Sequence, residues 1–207
     1  SVGRYQQETS TVTCKSCLKG SYQNEMGTTS LSHCKKCMAG RYQPNTGAAK
    51  CQHCLQGRHL EEVGASTPCK ICTAGTYMNE VAAPGLCKFC DHGKYQDETT
   101  GTAACKFCQG GRYQSETTGT SSCSRCEQGR FSNGTGEIAA STCLPCSDGK
   151  YSNTLGAIIC SDCKPDTFSN TSASTICNVC SSGKTSERGS NYCTVPKYIS
   201  RFLIILI

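Results

Sequence analysis

Cysteine spacing constrains this chain more than anything else in it. The 207 residues carry 21 cysteines. Twenty of them form Cys-x-x-Cys pairs beginning at Cys14, Cys34, Cys51, Cys69, Cys87, Cys105, Cys123, Cys143, Cys160 and Cys177, and Cys193 stands alone. Successive starts lie 16 to 20 residues apart, with four consecutive steps of 18 between Cys51 and Cys123. A fixed period of this length marks a repeat architecture, in which each unit is too small to bury its own core and leans on its neighbours.

The register holds between the cysteines. The third residue after each pair is glycine, from Gly20, Gly40 and Gly57 through Gly149 and Gly183, except at Asp166. The fifth is aromatic at Tyr22, Tyr42, Tyr77, Tyr95, Tyr113, Phe131, Tyr151 and Phe168, with His59 and Thr185 as exceptions. A second glycine, such as Gly47, Gly101 or Gly156, sits shortly before the closing cysteine. The first glycine predicts a tight turn, possible at positive φ. The aromatic and its neighbour (Gln23, Gln43, Gln96, Gln114, Ser132) open a short extended segment, and a Thr/Gly-rich stretch such as Glu98 to Thr102 turns the chain back. Each repeat therefore reads as one small irregular hairpin clasped by a disulfide. No segment has a helical apolar period. The expected fold class is small and disulfide-rich, mostly irregular with short β-hairpins, stacked into an elongated tandem-repeat rod. The aromatics, Tyr113 and its equivalents, are the expected core.

Composition agrees. Without Trp and with only 14 Tyr and Phe, the chain cannot build a globular core matched to its length. It must be held by cross-links or metal, and this cysteine load belongs to an oxidising compartment. The formal charge of +6 is mild and contains no basic run, so no nucleic-acid arm is indicated. The chain starts at Ser1 without a signal-peptide pattern, which reads as a cut N-terminus.

The chain ends carry information on pairing. Cys193 follows the last pair by a normal loop length, but Pro196 stands where a partner cysteine would complete a pair. If the second cysteine of each pair bonds the first of the next, Cys193 closes the last loop. The bonds are then Cys17–Cys34, Cys37–Cys51, Cys54–Cys69, Cys72–Cys87, Cys90–Cys105, Cys108–Cys123, Cys126–Cys143, Cys146–Cys160, Cys163–Cys177 and Cys180–Cys193. Cys14 is left for a cysteine just before Ser1, since Gly3 and Tyr5 already follow the repeat register. A rival scheme, first with first and second with second, strands Cys193. Closing a loop of ~15 residues contributes roughly 3 kcal/mol, against on the order of 20 kcal/mol to order the backbone of one repeat. Single repeats are expected not to fold alone.

The unit Cys-x-x-Cys-x-x-Gly-x-Tyr…Gly…Cys resembles the ephrin-receptor-like cysteine-rich repeat. It is also similar to the first half-module of tumour necrosis factor receptor repeats. The resemblance runs from Ser1 to Cys193 and implies an extracellular or cell-surface location with a ligand-binding or spacer role. No kinase, death-domain or ephrin-binding segment accompanies it.

Other chemistries are weighed against the staples. Zinc modules group their pairs in twos, whereas these run evenly, and His33, His53, His59 and His92 do not recur as ligands. Thiol–disulfide catalysis needs a lowered thiol pKa in a compact α/β setting, and no such pattern is present. No hydrolytic constellation exists, and no catalytic, cofactor or metal residue is assigned. Cations recur at Arg41, Arg58, Lys94, Arg112, Arg130, Lys150 and Lys184, and again at Lys15, Lys35, Lys70, Lys88 and Lys106. A stripe of this kind suits sulfated glycans or acidic partners, but the glutamates at Glu8, Glu25, Glu62, Glu80, Glu98 and Glu116 interleave with it, so mutual neutralisation is expected. Asn133-Gly134-Thr135 and Asn170-Thr171-Ser172 are acceptor sequons for N-glycosylation in polar stretches expected to be exposed.

The expected organisation is an array over 1–193, its first repeat truncated at the N-terminus, followed by a tail over 194–207. Phe202 to Ile207 is far short of the ~20 residues that span a bilayer. It reads either as the start of a membrane anchor after residue 201 or as an apolar tail. The favoured function is a non-enzymatic extracellular structural or adhesive stalk or spacer with a protein or glycan ligand. The alternatives are the ligand-binding ectodomain of a cell-surface receptor and a multi-zinc Cys-x-x-Cys protein.

Overall fold

The structure, a computed structural model, describes residues 1–7 and 13–196. From 197 onward the expected tail, with the apolar run at Phe202, lies outside the described residues, as does Glu8. Among the described residues no helix is long and apolar enough to cross a membrane. The chain forms two compact units. Residues 1–91, 96–106 and 117–121 make the first, and 92–95, 107–116 and 122–207 the second.

Among the described residues every strand is two residues long, and the strands pair into ten two-stranded sheets. The construction is the same throughout. The aromatic and the residue before it form one strand, and the two residues inside the next Cys-x-x-Cys form its antiparallel partner. Arg112 thus faces Arg125 and Tyr113 faces Ser124; Tyr22 faces Lys35; Lys150 faces Asp162. A disulfide closes the open side of nine of these hairpins; the first, Arg4–Tyr5 with Lys15–Ser16, has none, and the tenth bond closes the last loop, where Thr185 and Thr194 form a single bridge. The ten bonds are Cys17–Cys34, Cys37–Cys51, Cys54–Cys69, Cys72–Cys87, Cys90–Cys105, Cys108–Cys123, Cys126–Cys143, Cys146–Cys160, Cys163–Cys177 and Cys180–Cys193. Among the described cysteines Cys14 is free and exposed. The two loops with the largest separation, 17 residues, take up their extra length as 3-10 turns at Leu31–His33 and Ala140–Thr142.

Two-residue strands cannot stand alone, and the missing hydrogen bonds come from neighbouring repeats. In the first unit Gly20 N–H donates to Gln43 O (2.8 Å), Gly40 to Leu60 O (2.7 Å) and Gly57 to Met78 O (2.8 Å). The amides of Gln23 and Gln43 in turn donate to Ala48 O and Ala65 O, both at 3.0 Å. The second unit repeats the pattern: Gly111 to Ser132 O (2.6 Å), Gly129 to Ser152 O (2.8 Å) and Ser132 to Ala157 O (3.1 Å). A further bond reaches back from the second glycine, as in Gly156 N–H to Cys126 O at 2.7 Å. Backbone groups that a lone repeat would leave unpaired are thus satisfied one repeat away.

The core is not where the aromatics put it. Tyr5 is buried, but Tyr22, Tyr42, Tyr77, Tyr95, Tyr113, Phe131, Tyr151 and Phe168 are only half-buried. The buried side chain is the next one along: Gln23, Gln43, Leu60, Met78, Gln96, Gln114, Ser132, Ser152 and Ser169. Successive side chains of an extended segment point to opposite faces. The face opposite the aromatic is the one that the loop and the disulfide close over. Gln23 shows how a polar group fills that place. Its Nε2 donates to His33 O (2.8 Å), and its Oε1 accepts from Glu25 N–H (2.8 Å). Gln43 does the same with Lys50 O and Asn45 N–H. The amide is a clamp across the loop, and it is fully paired, so its burial carries no desolvation penalty left uncompensated. At Leu60 the clamp gives way to an apolar cluster with Cys54, Ala65 and Cys69, against which Tyr42 packs.

Candidate functional site

In the second unit one repeat sets two large aliphatic side chains next to each other on its surface. The residue whose carbonyl receives the inter-repeat bond is followed by two exposed or half-exposed positions. They hold Ser66-Thr67, Ala103-Ala104 or Ser121-Ser122 in some repeats and a single isoleucine in Ile138-Ala139 and Thr175-Ile176, but two isoleucines in Ile158-Ile159. Both isoleucines are well exposed, at 58% and 72%. Phe131 and Ile159 line two adjoining shallow clefts, one continuing to Ile158, Gly110 and Asn133 and the other to Leu144 and Pro145. Leu144 is 55% exposed. The result is an apolar strip drawn from consecutive repeats.

The local fold explains the juxtaposition. Phe131 bridges Ala157 in parallel, and Ser132 N–H donates to Ala157 O at 3.1 Å. Two residues further on in this register, Asn133 comes alongside Ile159. Gly110 lies beneath both segments: a Cβ built on it would stand 3.1 Å from Ile158 Cγ2 and 3.7 Å from the Asn133 carbonyl carbon. Asn133 and Thr135 are exposed, outside any strand. Asn170 and Ser172 are exposed too, and Asn170 stands two residues after Phe168 as Asn133 stands two after Phe131. The two sequons thus occupy one register position, in the two repeats that carry Phe instead of Tyr. The sequence alone did not single out the isoleucine pair; its signal was two adjacent isoleucines at a position where the other repeats carry at most one.

Much of each charge ladder is paired internally. The cation inside the Cys-x-x-Cys pairs with the acidic loop of the same hairpin: Lys35 with Glu25 (3.5 Å), Lys88 with Glu80 (2.6 Å), and Lys106 with Asp97 and Glu98 (both 2.8 Å). The hydrogen bond from Lys106 holds the Asp97 carboxyl below its ordinary pKa, and the Glu80 hydrogen bond raises that of Lys88. In the other row, Lys94 sits over the Phe107 ring at 5.0 Å from its centroid. Arg112 and Arg130 donate through Nη1 to the carbonyls of Cys123 (3.3 Å) and Cys143 (3.0 Å). Lys150 binds Asp162 at 2.5 Å, and Arg188 reaches the other oxygen of the same carboxylate at 3.2 Å. That hydrogen bond from Lys150 is the main reason Asp162 titrates below its ordinary range. The described cysteines other than Cys14 are in disulfides, so the zinc alternative has no thiolate pair to draw on.

Comparison with known proteins fits this construction. Residues 26–68 match the family model described as tyrosine-protein kinase ephrin type A/B receptor-like. The match covers about a fifth of the chain. No curated protein matches the chain. Among the described residues, nine hairpins built alike, each with its disulfide, are preceded by an unstapled one and followed by a stapled loop at Cys180–Cys193, which makes the chain a tandem series of cysteine-rich repeats.

Proposed function

We propose that this series of repeats is a non-enzymatic extracellular stalk or spacer, at the cell surface or secreted, which positions other surfaces by its own rigidity. One observation carries the reading. Within each unit the glycine opening one repeat donates to the next repeat and packs against the backbone of the repeat after that, as Gly57 does with Met78 O and then with Gly101. A repeat tied to two successors cannot bend freely between them, and a covalent staple in each repeat from Cys17 onward keeps it folded where proteases and dilution act. The ephrin-receptor-like match and the disulfides support the oxidising location.

The test is made on the cells that produce the protein. An antibody should stain intact, unpermeabilised cells or their medium, and the recovered protein should show no more than one alkylatable thiol per chain. A reduced, zinc-loaded chain inside the cytoplasm overturns the reading. The second reading, a ligand-binding ectodomain, has the exposed strip of Phe131, Leu144, Ile158 and Ile159 on its side.

A further inference from the structure

The apolar strip and the Asn133 sequon fall at the same spot, and each explains the other. Ile158 and Ile159 double the large aliphatic residue at a position where the other repeats carry at most one, and they stand beside the acceptor asparagine. Phe131, two residues before Asn133, leaves part of its ring open along the same cleft. Gly134 follows the asparagine, and Glu137 occupies the space a side chain there would need. Thr135 supplies the hydroxyl of the sequon and stands exposed. The cleft's lining is almost wholly apolar apart from Asn133 itself and Gln109. An occupant tethered at Asn133 needs an apolar face and polar edges. The first sugar of an N-linked glycan has both: the C–H face of a pyranose ring with an acetamido methyl, and hydroxyls around its rim.

We propose that Asn133 carries an N-linked glycan whose first N-acetylglucosamine lies on Phe131 and covers the Ile158–Ile159 strip. The inference rests on the extracellular reading, because the modification belongs to the secretory route. In the transfer, Asn133 Nδ2 attacks the anomeric carbon of a lipid-diphosphate-linked oligosaccharide. The C–N bond forms, the C–O bond to the diphosphate breaks, and one amide proton leaves with the departing lipid diphosphate. Asn170 follows the same register, but Asn191 and Tyr192 stand where Asn133 has Ile158 and Ile159. Its glycan would have no aliphatic strip to cover, which makes it an internal control.

The full chain is secreted from cultured eukaryotic cells, and site occupancy is read by mass after enzymatic glycan release in heavy-oxygen water. Asn133 is expected to be occupied. Binding of a fluorescent apolar dye is then compared across variants. Trimming the glycans to their first sugar should leave dye binding low, whereas Asn133→Gln should raise it about twofold or more. Adding Ile158→Thr and Ile159→Thr to Asn133→Gln should bring it back down, and Asn170→Gln should not change it. An oxidised, secreted chain with Asn133 bare overturns the proposal and hands the strip to a protein ligand. So does an occupied Asn133 whose removal leaves dye binding unchanged. A chain that stays reduced and bare at Asn170 as well shows instead that the extracellular reading has failed.

Discussion

Gly57 meets Gly101 backbone to backbone, two repeats apart in the first unit. A Cβ on Gly57 would overlap the Gly101 carbonyl and stand 2.7 Å from Thr102 N. Gly57 also has φ of 75°, a region that L side chains enter at a cost of roughly 1–2 kcal/mol. Gly27 shares that φ, but a Cβ there would meet nothing within 4 Å. The pair separates conformation from contact. Gly27→Ala should cost about 1 kcal/mol, and Gly57→Ala about 3 kcal/mol or more, because the two backbones must part. Hydrogen exchange at the Cys72 amide, which donates to Gly57 O at 2.9 Å, checks it: protection should fall far more in the Gly57 variant.

Gln96 is only 1% exposed and clamps its loop through Ala104 O and Glu98 N–H, both at 2.9 Å, and through the Thr102 hydroxyl. Gln96→Ala removes the clamp and leaves buried backbone groups unpaired, which should cost about 1–3 kcal/mol. Gln96→Met is expected to be milder, since Met78 already fills the equivalent position among Cys72 and Ala83. Thermal melting without reductant measures both. Equal losses in the two variants would show that the hydrogen bonds, not the filling of the loop, hold that position.

That clamp marks the limit of what could be read in the sequence. The hairpin, its staple and the glycine turns were legible because each rests on a residue type with few alternatives: a cysteine, or a glycine where φ is positive. The buried position was not, because Gln23, Gln43 and Gln114 look like surface residues until the loop that they bind is in place. The aromatics were given the core because ring area normally dominates burial, yet Tyr113 and Phe131 lie on the half-open face. The strand partner was hidden as well. The pair inside Cys-x-x-Cys, such as Ser124–Arg125, looks like a spacer and is half of a hairpin. Of the candidate site, the sequons were legible but the isoleucine strip beside Asn133 was not, because residues 133 and 159 are brought together only by the inter-repeat register.

Asp162 faces Lys150 across its hairpin and is held below its ordinary value of 3.8, first by the Lys150 hydrogen bond and charge and then by Arg188. A carboxyl depressed in the folded state stabilises the fold above its unfolded pKa, and that contribution is lost as pH falls through the lower folded value. The tie between Lys150 and Asp162 should therefore hold at neutral pH and release only in acid below 3.8. Side-chain NMR titration should place the Asp162 midpoint below 3.8, and Lys150→Met should move it upward. An unchanged midpoint in the variant would assign the shift to something other than Lys150. Because the pair is half-exposed, about 1 M salt should weaken the tie.

Cys14 is exposed and unbonded, whereas each later cysteine is bonded to its neighbour in the adjacent pair. Alkylation of the folded, unreduced chain should add one label, at Cys14, and non-reducing peptide maps should return Cys17–Cys34 rather than Cys14–Cys34. The sulfurs of Cys17 and Cys34 already face each other across a Cα separation of 5.6 Å, within the span a disulfide accepts. Replacing Cys90 and Cys105 together by Ala opens a loop of 15 residues and should cost about 3 kcal/mol. The loss should stay local, because the backbone bonds of Gly75 to Gln96 O and of Cys90 to Gly75 O do not depend on that staple. Limited proteolysis reads the outcome: new cleavage confined to residues 90–105 supports independent staples on a shared hydrogen-bonded frame. Cleavage spreading along the chain would mean that each disulfide holds its neighbours as well as itself.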